Sequence, residues 1–130
     1  MAAACTEEPK PRRQDPSVPN PPSRGFIDAP AANQAVGPAT VVSGWAIDES
    51  GVDRVRIWAD DRLLATVSLT VARPDVEAAY PAAAKPGAVH GWQAPVDFGD
   101  KSGYAAIRAE VLDGRGALTH VATVTVQIQR

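Results

Sequence analysis

The chain predicts an all-β fold, an antiparallel sandwich of about seven strands behind a proline-rich tail. Three observations carry this. From residue 25 onward apolar residues recur with period two rather than 3.6, as half-buried strands require. Clusters of Asp, Ser and Gly punctuate that pattern at the spacing of short strands and tight turns. The single cysteine, Cys5, lies in the tail, so the body has no internal disulfide and must hold by apolar packing. The expected division is a disordered tail over residues 1–24 and a sandwich over residues 25–130.

The elements follow in order. "GFIDAP" is a short extended entry ended by Pro30. "ATVVSGWAID" alternates, with Val42, Gly44 and Ala46 on one face and Val41, Ser43, Trp45 and Ile47 on the other. Asp48 to Gly51 makes a turn, Asp first and Gly last. "VDRVRIWAD" sets Val55, Ile57 and Ala59 against Arg54, Arg56 and Trp58, and a tight connection leads to "LLATVSL". After a long interruption, "GWQAPVDF" aligns Trp92, Ala94, Val96 and Phe98. "YAAIRAEVLD" aligns Ile107, Ala109 and Val111, "DGRG" is a hairpin turn, and "ALTHVATVTVQIQ" closes with Ala122, Val124, Val126 and Ile128. This count and spacing are those of an immunoglobulin-like sandwich. Small residues at 44, 46, 59 and 109 let its two sheets approach closely.

The interruption is "VARPDVEAAYPAAAKPGAVHGW", with three prolines and a run of alanines. About twenty residues without a strand pattern are unusual inside a compact domain. In the strand reading Val41, Trp45 and Ile47 face outward and form an apolar patch. The loop is therefore expected to drape over that patch, with Val76 and Tyr80 as cover. Arg73 and Asp75, flanking Pro74, are placed to pair or to bond turn backbone. The competing reading makes Trp45, Trp58 and Tyr80 a binding surface beside a mobile loop.

Composition excludes several classes. Net charge is −2 with both signs interspersed, which leaves no basic patch for nucleic acid. No apolar run reaches the ~18 residues of a membrane-spanning helix. There is no Walker-type loop and no G-x-S-x-G elbow, and His90 and His120 have no serine and carboxylate at a telling spacing. No enzyme and no cofactor is expected. The carboxylates Asp48, Glu49, Asp53, Asp60, Asp61 and Asp113 sit in turns, where Asp bonds local backbone. Gathered at one end of the sandwich they would form a calcium site, but no D-x-D-x-D-G loop is present.

The tail carries six prolines between Pro9 and Pro22, with charges and no apolar periodicity. Such a segment cannot bury enough surface to offset its ordering entropy. Extended, the stretch from Cys5 to Arg24 would reach roughly 60 Å at ~3.1 Å per residue. "AAAC", ending at Cys5, resembles the end of a bacterial lipobox, where a cysteine is lipidated and becomes the mature N-terminus. Ala2 stands where leucine is usual, and the charged start and apolar stretch of a signal are not in the sequence. The resemblance implies a lipid anchor on Cys5, an extracytoplasmic location, and a tether that lifts the body off a membrane. Without the anchor, the protein is expected to be secreted.

The body also resembles, over about residues 25–128, a bacterial Ig-like domain of exported and surface proteins. The residues that carry this are "GFIDAP", "VVSGWAID", "GVDRVRIWADDRLLATV", "ARPDVEAAYP" and "HGWQAPVDF", of which "GWAID" and "RPDVEAAYP" are the most specific. The "KSGYAAI" segment departs from the pattern. The resemblance implies a non-catalytic module that contacts another envelope or surface protein or acts as a spacer. Carbohydrate binding on exposed aromatics is the alternative, with polysaccharide as partner. The discriminator is Trp58. Sugar stacking requires it exposed beside a second aromatic, whereas a lone Trp58 flanked by Arg54 and Arg56 suits a protein partner.

Overall fold

Strands of this sequence pair because one side of each is apolar and small enough to face another sheet. The computed structural model describes residues 22–129. It contains β1 Arg24–Ala29, β2 Ala35–Val36, β3 Ala39–Ile47, β4 Val52–Ala59, β5 Arg62–Val67, β6 Val71–Ala72, the helix α1 Pro74–Ala79, β7 Val89–Asp97, β8 Gly103–Asp113 and β9 Leu118–Ile128. One sheet has the order β2-β9-β8-β4-β5 and the other the order β1-β3-β7-β6. All pairings are antiparallel except β2 with β9, which is parallel. This is an immunoglobulin-like sandwich.

The expected inward faces are the core. Val42, Ala46, Val55, Ile57, Trp92, Ala94, Phe98, Ile107, Ala109, Val111, Val126 and Ile128 are buried in one cluster. Trp92 and Phe98 are its largest buried side chains. Gly44 sits where β1 and the Trp92 ring both approach β3. A Cβ there would press on the Phe26 carbonyl and lie 2.8 Å from Trp92 Cζ2. Glycine is the residue that leaves room for the indole beside the strand.

Two differences from the sequence reading concern short pieces. About seven strands are expected and nine are present among the described residues, because β2 and β6 are two residues long. Two residues carry no readable period. Residues 71–91 are also not plain loop. β6 pairs with β7 at Gly91 and Val89, and α1 follows directly. Pro74 occupies the start of α1, where a missing N–H costs nothing, and Asp75 and Glu77 lie in its first turn. The tail is expected to run to residue 24, but Arg24 already stands in β1; residues 1–21, including Cys5, lie outside the described residues.

Turn chemistry is local. Asp113 Oδ1 accepts from the N–H groups of Arg115 and Ala117 across the "DGRG" turn. Asp48, itself buried, accepts from Ser50 N–H at 2.8 Å and Ser50 Oγ at 2.6 Å, and from Ser23 Oγ at 2.6 Å. Ser23 thereby joins the sandwich just before β1. Among the described residues, no group of three or more His, Cys, Asp and Glu is arranged to hold a metal ion. No helix among them is long and apolar enough to cross a membrane.

Candidate functional site

Two outer faces bear the sequence's candidate residues. The first is the outer face of the β1-β3-β7-β6 sheet. One row across it runs Phe26, Trp45, Gly91 and Val71 in register. The missing side chain at Gly91 makes this row passable. A Cβ there would lie 2.8 Å from Val71 Cβ and 3.0 Å from Arg73 Cγ. Arg73 therefore runs over Gly91 toward β1, and its Nη1 reaches Asp28 Oδ2 at 2.7 Å. Its Nε and Nη2 meet the two oxygens of Asp75 at 3.0 and 2.8 Å. One guanidinium thus ties the start of α1 to itself and to the far strand of the sheet, using the two-pronged geometry at which arginine excels.

Beyond that tie, residues 76–84 cover the end of the sheet. Val76, Ala84 and Ile47 form a second buried cluster, against which Trp45, Tyr80 and Ala83 pack. The Trp45 and Tyr80 rings are 5.4 Å apart at 37°, and Arg24 lies 5.4 Å over Tyr80. The cover extends to Ile47 and Trp45 but not to Val41, which is 51 % exposed. His90, which has no catalytic partner at a telling spacing in the sequence, lies within β7 and is buried. Its Nε2 is 3.0 Å from the Lys85 carbonyl and so carries the proton; Glu77 stands 3.7 Å away. Its signal in the sequence was weak, because a lone His before a Gly-Trp strand reads equally as surface.

Charge adds to this tie, which lies at the solvent-exposed surface of the sheet. The Arg73 guanidinium, hydrogen-bonded to Asp75 and Asp28, is held charged well above its usual range. In turn Arg73 holds the Asp75 carboxyl below the usual carboxylate range. A depressed carboxylate stabilises the fold above its unfolded value, about 3.9, and the contribution disappears as pH falls through the lower folded value. The Arg73 Nε–H resonance is therefore expected to keep its shift from neutral pH to about pH 4 and to lose it only in stronger acid. A shift already lost between pH 7 and pH 5 would show that the Asp75 carboxylate does not hold the guanidinium.

The second face is the outer side of the β2-β9-β8-β4-β5 sheet. Trp58 lies here as expected, but it is half-buried. Arg108 stacks 5.4 Å over its ring, and Trp58 Nε1 donates to Glu110 Oε1 at 3.3 Å. Arg56 Nη1 is 3.9 Å from the same Glu110 oxygen. Arg108 donates twice to the Asp60 carbonyl, at 3.0 and 3.3 Å. The Asp60 carboxyl is held below the usual range by the Ala106 N–H and by Lys101, 3.0 Å away. The structure thus brings Trp45, Tyr80, Arg73, Pro74 and Asp75 together and leaves Trp58 on the opposite face. Among the described residues, the Trp45–Tyr80 pair is the one aromatic pair in contact.

No protein-family model matches the chain, and no curated protein does. Among solved structures it is similar to the fibronectin(III)-like modules of Clostridium thermocellum CbhA, at 15 % identity and a TM-score of 0.55, over 80 % of this chain and 93 % of that one. It is also similar to an LPMO from Kitasatospora papulosa, at 10 % identity and a TM-score of 0.49, over 78 % of this chain and 55 % of that one. A third likeness is to T. fusca AA10A, at 9 % identity and a TM-score of 0.49, over 77 % and 53 %. This chain spans about half the length of the last two. At such identities the likeness to the CbhA modules is one of fold.

Proposed function

We propose that the chain is a non-catalytic Ig-like module of the bacterial cell envelope or surface that contacts another protein. In this reading the proline-rich segment is its tether, and a lipid on Cys5 holds it at the membrane. The motif-level resemblance to Ig-like domains of exported proteins supports the reading, and the sandwich fold agrees with it. The observation that carries it is the setting of Trp58. Arg108 occupies one face of the ring, and no second aromatic stands beside it among the described residues. Stacked Arg and Trp with flanking arginines is the composition of a protein anchor. Sugar stacking calls for an open face beside a second aromatic, and here a guanidinium stands over one face of Trp58.

The test is co-sedimentation of the full chain with insoluble cell-wall polysaccharide and with peptidoglycan, Trp58→Ala alongside. Neither protein is expected in the pellet. Pelleting of the wild type, lost in the variant, would replace this reading with a carbohydrate-binding module.

A further inference from the structure

We propose that the outer face of the β2-β9-β8-β4-β5 sheet docks an acidic protein surface; this rests on the protein-interaction reading above and names its face and its chemistry. The face is built in cross-strand rows. Arg54 stands beside Leu112, Arg56 beside Glu110, and Trp58 beside Arg108. Leu63 extends the Trp58 row on β5.

Charge singles this face out. The chain as a whole carries −2, yet Arg54, Arg56 and Arg108 project here and two carboxylates, Asp53 and Glu110, meet them. Arg54 leans on Asp53 at 3.4 Å, with both side chains more than half exposed. Arg56 shares Glu110 only at 3.9 Å. Among the described residues Arg108 has no carboxylate within ion-pair distance. Its bonds to the Asp60 carbonyl use Nε and Nη2, so Nη1 remains for a partner. Stacking on Trp58 fixes the guanidinium plane beforehand, which lowers the entropy lost on binding. An arginine held this way presents Nη1 to an incoming carboxylate as a charged donor.

The apolar parts fit the same occupant. Leu63 and Leu118 are 45 % and 49 % exposed and lie on opposite sides of the arginines. Leucines at the rim with Trp and Arg between them suit a protein surface. A polysaccharide or a bare polyanion would leave the leucines in water. On the other sheet, by contrast, residues 76–84 already cover Ile47 and part of Trp45.

The experiment places a photoreactive residue at Leu63 in the full chain, within the cells that make it. A second variant carries it at Val41, on the opposite sheet. The expected result is an adduct from Leu63 to a different protein, through a peptide of net negative charge. Its yield should fall by about tenfold in Arg108→Glu, and in Arg56→Glu should either variant melt early. An adduct only from Val41 would overturn this face and leave the protein-interaction reading standing. So would an adduct from Leu63 to a second copy of this chain or to a peptide without acidic excess. An adduct from Leu63 to polysaccharide, or none from either position, would overturn both.

Discussion

Trp92→Ala is expected to destabilise the sandwich by about 3–5 kcal/mol, the range for removing a buried aromatic from a packed core. The urea midpoint should fall while the slope of free energy against denaturant stays unchanged. The side chain is 1 % exposed and lies against β3 over Gly44, so its loss leaves a cavity that the strands, fixed by their ladders, cannot close. The companion Trp92→Phe separates volume from polarity. Trp92 Nε1 is buried with no hydrogen-bond partner among the described residues, a state that costs about 1–3 kcal/mol. Phenylalanine removes that donor together with some volume, and the two effects oppose. Its net cost should stay below about 1.5 kcal/mol. A phenylalanine variant as unstable as the alanine one would mean that the indole N–H has a partner in solution. A glycine at 44 and a tryptophan at 92 thus form one packing unit across β3 and β7.

What was legible in the sequence follows from what has a period. The long strands were readable because Val55, Ile57 and Ala59, or Ile107, Ala109 and Val111, alternate with polar residues over several repeats. The cover over Ile47 and Trp45 was readable for a related reason. An apolar outer face in register with an apolar inner one leaves side chains that something must bury. β2 was not readable, since Ala35 and Val36 hold their place by pairing with β9 some ninety residues later. α1 was obscured because Pro74 and the alanines suit both a turn and a short helix, and Val76 against Ile47 decides between them. The Arg73–Asp75 pairing was one of two arrangements the spacing allowed, the other being bonds to turn backbone. The reach of Arg73 to Asp28 was not readable, because that depends on the bare backbone of Gly91.

Trp58 shows where the reading of candidate residues runs out. Period two placed it correctly on the outer face. Whether an outer tryptophan is open depends on the neighbouring strand, and here β8 brings Arg108 across it. That stack sets a guanidinium over one face of the candidate sugar platform. The same argument applies to Trp45, whose ring is partly taken by Tyr80. Both tryptophans named as binding candidates are occupied by their own chain, from opposite sheets.

Val76→Asp is expected to release the segment over residues 76–84 while leaving the sandwich folded. Val76 is 3 % exposed. Replacing it removes about 1.5 kcal/mol of apolar burial and adds a buried carboxylate without a cation, a penalty of several kcal/mol. The segment avoids that penalty by opening. Arg73 keeps its bonds to Asp75 and Asp28, so the start of α1 should stay near β1 while the rest swings free. Hydrogen exchange reads this directly. The amides of Tyr80 and Ala84, bonded to the Val76 and Tyr80 carbonyls, should lose protection by at least about a hundredfold. Those of β4 and β8 should change by less than about tenfold. Uniform loss across both sheets would show instead that the segment belongs to one cooperative unit with the core. If it opens separately, Ile47 and Trp45 join Val41 and Phe26 in one exposed apolar face, and the variant should self-associate. Retained solubility with an open segment would count against a covering role and favour a gating one, because only a cover is needed for the sheet to stay in water.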